Sequence, residues 1–123
     1  MADEITFSLT LDVVNGEYKP GTYRITNLKV DQAAAGAADG IQAVGTTEEA
    51  LALATGAITT GGLLVIRNLD ATNYVEVGFA TGVYPMKLLP QGIPLEVTTN
   101  GSPTIYLKAN TAECDIWFRY LEA

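Results

Sequence analysis

The sequence predicts an all-β chain, an antiparallel sandwich or barrel of about eight or nine short strands. Three observations carry this. Apolar and polar residues alternate with period two along most of the chain. Clusters of Asn, Asp, Gly and Pro recur at spacings of about ten residues. The prolines fall at strand ends rather than strand centres, as a ladder that needs its N–H donors requires. With 123 residues, 48% of them hydrophobic, the chain can bury one core. It reads as a single domain over 1–123, with a flexible N-terminal end and a mobile Ala/Gly loop at 31–40.

The elements follow in order. Ile5, Phe7, Leu9, Leu11 and Val13 alternate with Thr6, Ser8, Thr10 and Asp12, a strand with one wet face that ends at Asn15-Gly16. Pro20-Gly21 predicts a second turn before Tyr23 and Ile25. The apolar set then resumes at Leu28 and Val30, a slip of one residue near Asn27 that predicts a bulge. Residues 31–40, DQAAAGAADG, have two glycines and no amphipathic face, so they read as a loop or an arm that orders on contact. Thr46-x-x-Glu49 matches a capping box, which opens a short helix over Ala50 to Ala54. The alternative for 46–54 is an extended segment or single turn with Leu51 and Leu53 on one face, favoured because so short a helix is marginal.

From Gly61 the pattern sharpens. Leu63 to Ile66 is apolar on both faces, as in a central strand. Asn68 to Asn73 (NLDATN) is a turn that caps its own backbone. Val75, Val77 and Phe79 fall on one side of the next strand, with Tyr74, Glu76 and Gly78 on the other. Short strands follow at Met86–Leu89, Ile93–Val97 and Ile105–Ala109. In the last, Cys114 to Leu121, the core face is Cys114, Ile116, Phe118 and Tyr120.

Composition excludes several kinds of chemistry. There is no histidine, which removes Ser-His-Asp and Cys-His catalysis and His-ligated zinc or iron. The single cysteine, Cys114, removes an intramolecular disulfide and any CxxC metal site, and its phase marks a buried, inert thiol. No GxGxxG, GxxxxGK[ST] or GxSxG motif occurs. The oxygens of Asp70 and its neighbours are too few and wrongly spaced for calcium, and an Asx turn explains them. Glu48 and Glu49 read as capping groups rather than a catalytic pair. No catalytic, cofactor or metal site is expected.

The acidic balance, 14 acids against 7 bases for a net charge of −7, argues against nucleic acid as a partner. No apolar run near 18 residues predicts a membrane span. Met1-Ala2-Asp3-Glu4 is acidic where a secretory signal is basic, so synthesis in a cytoplasm is expected. Charged residues make up 17% of the chain, against roughly 25% in an average domain, which points to surface covered by partners. The candidate contact residues are Trp117, Arg119 and Leu121 on the outward side of the last strand, since Trp beside Arg is a composition enriched at interface centres. Tyr74 and Tyr84, which bracket VEVGFATG, are weaker candidates. Trp117 covering a second sheet, or stacking on a sugar ring as part of a carbohydrate-binding module, are the competing readings.

NLDATNYVEVGF (68–79) and IYLKANTAECDIWFRYLEA (105–123) resemble segments of small virion proteins of tailed bacteriophages. QAVGTTEEALAL (42–53) and the GGLLVIR run (61–67) are similar in kind, so the likeness covers about 41–123. It implies a β-sandwich of jelly-roll type repeated on a virion. The implied role is capsid decoration, or cement, with a tail, neck or baseplate component as the alternative. The implied partners are the major capsid protein or other virion proteins and further copies of the chain, with a trimer favoured.

Overall fold

The computed structural model describes residues 4–32, 36–53, 58 and 61–122, and the backbone alone at 15 and 18–20. The chain divides into two compact units, 1–34 and 35–123. The described residues are all β, with no helix, and every strand pair is antiparallel.

The first unit is a hairpin of β1 (Ile5–Asn15) and β2 (Tyr18–Val30). Gly16 and Glu17 form its two-residue loop. Gly16 has φ 57°, the positive value that a loop matching strand twist demands at its first position. The one-residue slip in the sequence is a β-bulge: Thr26 and Asn27 face Ser8 alone, and Asn27 sits at φ 53° with its N–H donating to Ser8 Oγ at 3.1 Å. The bulge restores phase. Ile5 pairs with Val30, Phe7 with Leu28, Leu9 with Ile25 and Leu11 with Tyr23, so all eight side chains share one face. The turn expected at Pro20-Gly21 is absent, because β2 runs through it. Lys19 and Pro20 lie opposite Val14 in a second register shift, where an imino nitrogen without hydrogen costs the ladder nothing.

The second unit holds the other eight strands: β3 (Ala37–Val44), β4 (Glu49–Ala50), β5 (Leu63–Asn68), β6 (Val75–Gly78), β7 (Met86–Leu88), β8 (Leu95–Thr98), β9 (Tyr106–Ala109) and β10 (Cys114–Leu121). They form two four-stranded sheets, β3-β10-β5-β8 and β4-β9-β6-β7. The pairing is nested: the first strand of this unit lies beside the last, the second beside the seventh, the third beside the sixth and the fourth beside the fifth. Both sheets supply one core. Leu64, Ile66, Ile116, Phe118 and Tyr120 come from the first sheet, and Val75, Val77, Leu88 and Leu107 from the second. Two stacked sheets sharing a core are the arrangement of a β-sandwich. The sequence reading spread one sandwich over 1–123, whereas every strand of the two stacked sheets comes from 35–123.

Two local expectations change, and the extended reading favoured for 46–54 holds at β4. The loop expected at 31–40 is strand from Ala37 onward, paired residue for residue with β10, while 33–35 lie outside the described residues. Small side chains give Ala37–Gly40 little strand propensity of its own, but β10 presents a full row of backbone donors and acceptors, and pairing decides. The capping-box motif opens no helix among the described residues up to 53. Glu49 lies in β4, accepting the Gly45 N–H at 3.1 Å and the Gln42 amide at 2.9 Å, and Leu51 N–H donates to the Ile105 carbonyl at 2.8 Å. Phe79, expected on the core side, is exposed because β6 ends at Gly78 and the chain turns into the Ala80–Val83 bridge.

Candidate functional site

Alternation in β10 puts Cys114, Ile116, Phe118 and Tyr120 into the core, as expected, and sends Asp115, Trp117, Arg119 and Leu121 outward. Trp117 is therefore no part of the core, because its side of the sheet faces away from the second sheet. Registry with β3 and β5 builds the surface around it. Ile41, Trp117 and Arg67 form one row across the sheet. Asp39, Arg119, Val65 and Glu96 form the next, and Ala37, Leu121, Leu63 and Thr98 the third.

This face mixes large apolar side chains with charged ones. Trp117, Leu121, Leu63 and Val65 are half-buried by their neighbours, and Ile41 is 67% exposed. The Arg119 guanidinium lies 5.6 Å from the Trp117 ring centroid and bonds Asp39 Oδ2 at 3.1 Å. An exposed ion pair of this kind contributes little to stability. Its geometric effect is to hold a long cationic side chain over the indole. Arg67 is likewise tethered, its Nε donating to the Gly92 carbonyl at 3.2 Å. The result is a strip of aliphatic and indole surface with preset hydrogen-bond donors at its centre and edge.

Tyr74 and Tyr84 stand outside the strands, just before β6 and β7 of the other sheet, and do not join this group. Lys87 Nζ sits 4.2 Å from the Tyr74 ring centroid, and Lys108 Nζ lies 6.0 Å from that of Tyr84. The Tyr84 hydroxyl donates to Glu48 Oε1, which also accepts the Gly82 N–H at 2.7 Å. These bonds hold the Glu48 carboxyl below its ordinary range and push the Tyr84 phenol up to about 12. The five candidate residues are thus three on one sheet and two in the segments that lead into strands of the other.

Sequence reading missed Asp39, Ile41, Leu63 and Val65 as parts of the surface. Ala37, Asp39, Ile41 and Ala43 do alternate, and that period was the available signal, masked by the Ala/Gly content of 31–40.

The remaining polar residues are occupied by structure. Asp70 Oδ2 accepts the N–H groups of Thr72 (2.9 Å) and Asn73 (2.6 Å), which lowers its pKa and closes the NLDATN turn. Asn68, buried, accepts the Asp70 N–H at 2.9 Å and donates to the Asn73 and Leu88 carbonyls at 2.7 and 3.2 Å. Cys114 is buried, and burial pushes its thiol up. Among the described residues no three acidic or thiol side chains gather where a metal ion could sit. No family model, curated protein or solved structure matches the chain.

Proposed function

We propose that this chain is a non-enzymatic structural subunit of a tailed-bacteriophage virion, a capsid decoration or cement protein with a jelly-roll sandwich. It would be made in the host cytoplasm and take its place on the virion, bound to the major capsid protein and to copies of itself about a threefold axis, without cofactor, nucleic acid or membrane. The nested pairing of the eight strands supports the jelly-roll reading, since wrapping a folded-over hairpin of eight strands yields this neighbour order. The observation that carries the functional reading is the outward face of β3, β10 and β5. It sets a tethered Arg119 beside Trp117, amid Ile41, Val65 and Leu63, on a rigid sheet. A cement protein binds assembled shell in preference to free subunits and stabilises it by mass action, so contact is its whole task.

The test is binding of the purified protein to capsids that lack it. Saturable, stoichiometric binding is expected, with Trp117→Ala weakening it by about 30-fold or more, the loss of a central anchor of roughly 2 kcal/mol. Absence of binding to the shell, or imaging of virions that places the chain on the tail, overturns the decoration role.

A further inference from the structure

We infer that the apolar face of the β1–β2 hairpin is a self-association surface, and that its occupant is the same face of another copy of this chain. The hairpin is a compact unit in its own right, and its four apolar ladder pairs lie side by side on one face. Leu9, Leu11, Tyr23 and Leu28 are 40%, 53%, 61% and 48% exposed. A ribbon of two strands is marginal in water by itself. An uninterrupted apolar strip of this length marks a contact surface.

Charge selects the occupant. The strip carries no charged side chain, because Asp12, Arg24 and Lys29 stand on the opposite face. That wet face is already bonded across the ladder, Thr22 to Asp12 at 3.1 Å and Lys29 to Thr6 at 2.9 Å. A charged surface laid on the strip loses its water and finds no counter-charge there, only the Tyr23 hydroxyl at one end. The occupant must be flat, apolar and as long as the ribbon. The outward face of β3, β10 and β5 fails this, since Arg119, Asp39 and Arg67 interrupt it. The strip itself meets it, with the same length and the same twist, so two copies stack as two sheets do, about 10 Å apart.

Area fits a weak, concentration-dependent contact. Ile5 is 8% exposed, so the open strip runs from Phe7 to Val13, and at about 3.4 Å per residue and about 4.8 Å between strands its footprint is roughly 24 Å by 10 Å. Two such faces with their side-chain relief bury on the order of 700 Å², in the range of a transient interface. Because each copy presents the identical patch, the contact is isologous and pairwise. It therefore doubles whatever assembly the sandwich forms, and it stands or falls independently of the virion reading.

The experiment is sedimentation of the full chain alone, over concentrations of roughly 1 to 100 μM. The paired change Leu11→Glu with Tyr23→Glu should halve the mass reached at the highest concentration, with Trp117 fluorescence unchanged. Wild-type protein should fall to that halved mass on dilution. Thr10→Glu, on the wet face, should keep the wild-type mass. Amide exchange of 5–30 in wild-type protein should slow as concentration rises, a readout that does not need the variant hairpin to form. Equal masses for wild type and the paired variant overturn the inference, as does exchange independent of concentration.

Discussion

Adjacent residues of β10 should respond unequally to truncation. Phe118 points into the core and is 4% exposed, while Trp117, next along the chain, lies half-buried on the outer face under Arg119. Phe118→Ala removes roughly 100 Å³ of ring. With partial collapse, and about 24 cal/mol per Å³ of residual cavity, the void costs about 1–2 kcal/mol, and the lost transfer energy adds about 2 kcal/mol. The expected loss is about 3–4 kcal/mol, a large share of the roughly 5–15 kcal/mol that holds an ordinary domain together. At about 4–8 °C per kcal/mol for a unit of this size, the melting midpoint falls by at least about 12 °C. Trp117→Ala leaves no internal void and should cost about 1 kcal/mol. Urea unfolding followed by far-UV circular dichroism measures both variants with one probe, since Trp117 is the only tryptophan and its fluorescence vanishes with it. Equal losses at the two positions, or a loss below about 1.5 kcal/mol at Phe118, would refute the assignment of the two faces.

Other outcomes follow from close contacts and titrating groups. A Cβ at Gly61 would stand 1.9 Å from the Tyr120 hydroxyl and 2.8 Å from the Gly101 carbonyl, so Gly61→Ala should destabilise by about 1–3 kcal/mol, whereas Gly45→Ala, with its nearest atom at 3.7 Å, should not; matching thermal midpoints would contradict this. The Tyr84 phenol donates to Glu48 and its pKa is raised to about 12, so the stability from this bond is complete below pH 10 and is lost as pH rises through about 12. In an absorbance titration Glu48→Gln should bring the Tyr84 ionisation to lower pH; superimposed curves would count against the pair. Cys114, buried with a raised pKa, should react with a thiol reagent orders of magnitude more slowly in folded protein than in urea, and fast labelling of the native state would show that β10 opens readily.

What the sequence by itself determined is whatever depends on alternation and on bonds between near neighbours. The β class, the inward set of β10, the bulge at Asn27 and the Asp70 turn were all legible, because each arises within a few residues of chain. The outward position of Trp117 followed from the same period, and so did its neighbours Arg119 and Leu121. Tertiary structure alone decided which strand lies beside which. Asp39 meets Arg119 across 80 residues, and Ala37–Gly40 is strand only because the edge of β10 waits for it. It also decided that Tyr74 and Tyr84 stand beside a different sheet from Trp117's, and that the first apolar strand joins a hairpin unit and not the sandwich. Propensity acts through the chain's own neighbours, whereas pairing and burial are energies between distant segments that exist only once those segments have met.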